Sequence, residues 1–85
     1  MEEELRKKIK KIYGDKEIQI GAKVTYIYIL IFLNDKKINR VNLSKELTIS
    51  NSTLGNHLKI LEKKGYIRIE RKRKKGKYQN NKYKV

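Results

Sequence analysis

Eighty-five residues with 23 Lys and Arg against 9 Asp and Glu carry a formal net charge of +14, which points to a polyanion as partner. A chain of this length makes one small domain that buries about 60% of its unfolded surface; with no cysteine it has neither a disulfide framework nor a thiolate metal site. The long apolar run from Val24 to Leu33 is too short to span a bilayer, and the chain begins with acids rather than the basic stretch of a signal peptide, so a cytoplasmic location is expected.

Glu2 to Tyr13 reads as an amphipathic helix, with Leu5, Ile9, Ile12 and Tyr13 at intervals of four, three and one, acids in the first turn and lysines later. Gly14 and Asp15 stop it. Residues 1–16 are therefore expected to form an N-terminal extension, serving either as a dimer or partner contact or as a cover over the core of the domain formed by residues 17–85. Glu17 to Ile20 reads as a short extended piece followed by Gly21. The run Ala22 to Leu33 is apolar nearly all round, and its β-branched and aromatic content would suit a buried strand, but twelve residues is long for one and a helix is expected. Asn34 and Asp35 begin a polar turn, Ile38 to Val41 reads as a short edge strand, and Asn42 as the cap of the next helix.

Leu43 and Leu47 lie one helical turn apart, and Ile49 comes too soon to continue their face, so the helix must break near Thr48. Ser50 is placed to cap a new helix, with Thr53 in its exposed first turn. Leu54, Leu58 and Leu61 then repeat at intervals of four and three, turning one stripe back toward the preceding helix. Gly65 suits the left-handed residue after a helix C-terminus, and Lys63 and Lys64 complement the dipole there. Beyond it, Tyr66 to Arg71 alternates apolar and charged residues as a half-buried strand does, Lys72 to Lys75 is a basic run ending at Gly76, and Tyr78 to Val85 reads as a second strand with Tyr83 and Val85 on one face.

Two helices at this spacing followed by a hairpin with a cationic tip resemble the winged helix-turn-helix family from Ala22 to the end. The segment Leu54 to Ile67, ending Leu61-Glu62-Lys63-Lys64-Gly65-Tyr66-Ile67, looks like the family's recognition helix running into the first wing strand. The Asn81-Lys82-Tyr83 step is similar to winged-helix domains of plasmid and phage replication and control proteins. The resemblance implies a mainly α fold with a small β-hairpin (α+β), a most-buried first helix at Ala22 to Leu33, and DNA as the partner. It also marks departures. Many relatives carry Arg or Lys where this chain has Asn51 and Asn56, a polar residue at Ile60 and often glycine at Thr48. A β-branched residue at positive φ would cost about 1–2 kcal/mol, so a wider turn is expected at Thr48.

With Leu54, Leu58 and Leu61 inward, Asn51, Ser52, Gly55, Asn56 and Lys59 face outward to enter the major groove, with Ser50 and Thr53 beside them. Asparagine can bond an adenine edge, and Ser52 and Thr53 can reach phosphate or base. Because this helix has no cation before Lys59, guanine reading is not expected from its first two turns. Most of the affinity is expected from the wing, where Arg68, Arg71, Lys72, Arg73, Lys74, Lys75 and Lys77 can neutralise phosphates. From Lys63 to Val85 there are eleven Lys or Arg against the single acid Glu70, which places +10 of the +14 in the last quarter.

Tyr66 and Tyr78 flank the basic run and either pack within the hairpin or stack on an unpaired base. His57 is expected on the flank of the recognition helix as a structural or phosphate contact; with no Cys, second His or carboxylate cluster near it, neither metal nor catalytic work is expected, and no cofactor. Ile60 reads as a partner contact or as edge packing. Three functions fit: a duplex-binding transcriptional regulator, dimeric on a short palindrome and carried by a plasmid, phage or other mobile element; a single-stranded or non-specific DNA-binding accessory of a replication protein such as a polymerase, primase or helicase; and an adaptor that binds protein or RNA. Nothing resembles a nucleophile with a base or a phosphate-cradling loop, so the chain is not read as an enzyme.

Overall fold

The computed structural model describes residues 2–33, 36–70 and 81–85. They form α1 (Glu2–Tyr13), α2 (Ile20–Phe32), β1 (Lys37–Ile38), α3 (Arg40–Leu47), α4 (Asn51–Lys63), β2 (Arg68–Glu70) and β3 (Asn81–Lys84). The three strands make one antiparallel sheet in the order β1-β3-β2, with Ile69 opposite Tyr83 and Ile38 opposite Asn81. Four helices and a small sheet in this order are the mainly α, winged helix-turn-helix architecture expected from the sequence.

The apolar periodicities converge on one core. Ile12 from α1, Ala22 and Ile29 from α2, Leu43 from α3, Leu54 and Leu61 from α4 and Tyr83 from β3 are fully buried, and burying each large apolar side chain is worth about 1.5–3 kcal/mol. Leu5 and Ile9 pack against the same core, so of the two roles open to α1 its apolar face takes the cover of the core. Lys8 ties it further by donating from Nζ to the Val85 carbonyl at 3.1 Å. The helix at Ala22 to Leu33 overrides the β propensity of its residues because α2 packs against both α1 and α4. Tyr13, Ile20, Val24, Ile31 and Phe32 remain exposed. No helix among the described residues is long and apolar enough to cross a membrane.

Three local expectations are corrected. Glu17 to Ile20 is not an extended piece: the Asp15 carboxylate accepts the Glu17 N–H at 2.9 Å and the Asp15 carbonyl accepts the Ile18 N–H, a turn that buries Ile18 and lets α2 start at Ile20. Asn39, not Asn42, caps α3; its Oδ1 accepts the Asn42 N–H at 2.8 Å, so Arg40 and Val41 are helical and β1 ends at Ile38. Thr48 does not widen the turn. It takes the left-handed conformation, φ 54°, while the Thr48 N–H bonds the Lys45 carbonyl and the Ile49 N–H that of Ser44, the paired closure usually completed by glycine. β2 starts later than the alternating segment that announces it, at Arg68 rather than Tyr66, since Tyr66 and Ile67 are still bonded to Leu61 of α4. The Asn34-Asp35 turn and the segment from Arg71 to Asn80 lie outside the described residues.

Candidate nucleic-acid interface

Ser50 begins α4 as expected, its Oγ accepting the Thr53 N–H at 3.1 Å and donating to Thr53 Oγ1 at 2.8 Å. Both hydroxyls thus serve first to fix the helix start. From there the 3.6-residue period turns Leu54, Leu58 and Leu61 into the core and leaves Asn51, Ser52, Thr53, Asn56 and Lys59 exposed. Of the five residues expected outward from spacing, Asn51, Ser52, Asn56 and Lys59 are exposed and Gly55 is half-buried. Ser52, Asn56 and Lys59, together with Gly55, line a recess of about 400 Å³ between α4 and β2, with Leu58 and Ile69 at its base.

The remaining wall of that recess is Arg40, which spacing within α4 had no means to indicate. Its Nε donates to Asn51 Oδ1 at 2.9 Å. A Cβ on Gly55 would stand 3.2 Å from Arg40 Nη2 and 3.3 Å from Cζ, so the guanidinium lies against the bare backbone of α4. The one signal for it in the sequence is Gly55 itself, since glycine inside a helix costs about 1 kcal/mol relative to alanine and calls for a close neighbour.

Of the wing residues named from the sequence, only Arg68 falls among the described residues; Arg71, Lys72, Arg73, Lys74, Lys75, Lys77 and Tyr78 lie outside them. Arg68 is exposed on β2 and pairs with Glu70 at 3.4 Å, and Lys84 pairs with the same carboxylate at 3.1 Å. Lys84 first, then Arg68, holds the Glu70 carboxyl below the usual carboxylate range. One face of the hairpin base is accordingly charged, while Ile69 and Tyr83 on the other close the core.

Three candidate contacts belong to the interior instead. His57 is buried, and Thr25 Oγ1 lies 3.1 Å from its Nδ1. The Thr25 hydroxyl donates to the Gly21 carbonyl, so the imidazole carries its proton on Nδ1 and donates it to Thr25. A phosphate contact is thereby replaced by a structural one between α4 and α2, and burial lowers the His57 pKa. Tyr66 is half-buried, edge-on to Tyr26 with centroids 5.5 Å apart, and its hydroxyl donates to Asp15 Oδ2 at 2.7 Å. Burial, then the Asp15 carboxylate, pushes the Tyr66 pKa up to about 12; the same bond draws Asp15 below its ordinary value. Of the two roles considered for that ring, packing within the domain is the one it takes. Ile60 is partly buried against the core, the edge packing of the two roles considered.

Lys64, just past α4, forms an ion pair with Glu17 and approaches Asp15 at 4.0 Å, so the α1–α2 turn is tied to the C-terminal end of α4. Among the described residues no group of three or more His, Cys, Asp or Glu is placed to hold a metal ion. Residues 22–85, three quarters of the chain, match the family model of the winged helix DNA-binding domain. No curated protein and no solved structure matches the chain.

Proposed function

This chain belongs to the winged helix DNA-binding domain family, and we propose that it is a non-enzymatic transcriptional regulator that reads duplex DNA with α4 in the major groove. The observation that carries this reading is the outer face of α4, where Asn51, Ser52, Asn56 and Lys59 stand exposed and the last three line one recess. Amide and hydroxyl groups on a groove-sized helix suit base edges, for which a plain cationic surface would have no use. The wing, Arg68, Arg71, Lys72, Arg73, Lys74, Lys75 and Lys77, supplies sequence-independent affinity through phosphates. The likeness of Asn81-Lys82-Tyr83 to plasmid and phage control proteins supports a place on a mobile element.

The packing of Tyr66 against Tyr26 and Asp15 favours duplex over single strands, because it withdraws one of the two rings that flank the basic run. The test is competition between duplex and single strands of the same mixed sequence, followed by selection from a randomised duplex pool. A regulator prefers duplex and enriches a defined site. Tighter binding to single strands, or a pool that stays random, would overturn the reading in favour of a replication accessory.

A further inference from the structure

We propose that Arg40 reads a guanine: a guanidinium carried by α3 but displayed on the groove-facing side of α4. The inference rests on the duplex-binding reading above and adds the base and the residue that selects it. The outer face of α4 has no cation of its own before Lys59. Arg40 stands at the start of α3 and crosses to the first turns of α4, where its Nε donates to Asn51 Oδ1 at 2.9 Å. Asn51 thus fixes the plane of the guanidinium and leaves both Nη groups as a fork. Among the described residues no carboxylate pairs with them.

Gly55 gives that fork its seat. A Cβ there would meet Nη2 at 3.2 Å and Cζ at 3.3 Å, closer than ordinary van der Waals contact, so any other residue would push the guanidinium outward by a few tenths of an ångström. Glycine weakens a helix interior, and here the space it leaves is occupied by the arginine. The group opens into the recess shared with Ser52, Asn56 and Lys59. A planar pair of N–H donors held at a fixed angle matches the O6 and N7 acceptors of guanine in the major groove; the same fork also fits a phosphate, and the two are told apart by whether the contact depends on sequence.

The experiment is selection from a randomised duplex pool with the full chain, with Arg40→Ala and with Gly55→Ala. Both variants substitute a strong helix former, and thermal melting establishes that they are folded. Gly55→Ala keeps the arginine and its charge while shifting it in its seat. The parent should select a site containing a guanine preferred over the other bases by on the order of ten- to a hundredfold. Arg40→Ala should lose that preference at that single position and keep the rest of the site, and Gly55→Ala should weaken it there. A guanine preference undiminished in either variant, or a parental site without guanine, overturns the assignment and leaves the regulator standing. Equal weakening of Arg40→Ala on every sequence also overturns it, since that is a phosphate contact. A parent that selects nothing overturns both readings.

Discussion

Thr48 and Gly65 occupy the same position in two successive helix closures, each followed by a residue whose N–H reaches back five residues, Ile49 to Ser44 and Tyr66 to Leu61. The geometry is shared but the strain is not. A β-branched residue held at positive φ costs about 1–2 kcal/mol, and against this the extra chain entropy of glycine costs about 0.5–1 kcal/mol. Thr48→Gly should therefore stabilise the domain by about 0.5–1 kcal/mol, a rise in Tm of roughly 2–8 °C; a melt at or below the parent's would show that Thr48 is not strained. His57 makes the second prediction. Its neutral ring is buried, so its folded pKa lies below the ordinary imidazole value and the unfolded chain takes up the proton first. Stability is then full above the ordinary value and falls as pH drops through it toward the folded one. Urea unfolding between about pH 7.5 and 5, the range that brackets the ordinary imidazole value, should show this decline in the parent and a flatter profile in His57→Asn, whose amide keeps a donor for Thr25. Equal slopes would contradict it.

At the scale of elements, the contact between α2 and α4 sets the orientation of α4, and at Gly21 the backbone of α2 lies against the His57 ring. A Cβ on Gly21 would stand 2.8 Å from His57 Cε1 and 2.9 Å from Nε2. Gly21→Ala should destabilise by about 1–3 kcal/mol through overpacking, the reverse of the gain of about 1 kcal/mol that alanine brings to an open helix position. Denaturant midpoints decide the sign. The wing makes a prediction of its own: Ala at Arg73, Lys74 and Lys75 together should weaken binding to all sequences alike and flatten the logarithmic salt slope by about 0.9 for each lost phosphate contact. An unchanged slope would remove those side chains from the phosphates. Most of these elements are legible in the sequence because their cause is local. Leu43, Leu47, Leu54, Leu58 and Leu61 fix two helices by period alone, and Ser50 is the capping residue that stands directly before the second. Asn39 and Asn42 are both capping types, and what separates them is which one's side chain meets an unpaired N–H, a matter of chain direction that composition does not contain.

For the whole molecule, what the sequence hides is contact across elements. Arg40 has no periodic partner in α3 and takes its place from Gly55, fifteen residues on in another helix. Tyr66 is a surface tyrosine among cations until the α1–α2 turn brings Asp15 to its hydroxyl. His57 lies one residue from the outward Asn56, yet its ring turns under α2. The proposed function divides the labour among these regions, with polar groups on α4 for bases and the cations of the wing for phosphates, while Asp15 and Glu17 brace Tyr66 and Lys64. A protein so divided should combine a steep salt dependence with real sequence preference. The most direct measurement is the ratio of affinities, at physiological salt, for its selected duplex and for duplex of mixed sequence. A ratio of about a thousandfold or more is expected. A ratio near one would mean that charge alone binds the DNA and that the α4 face reads nothing.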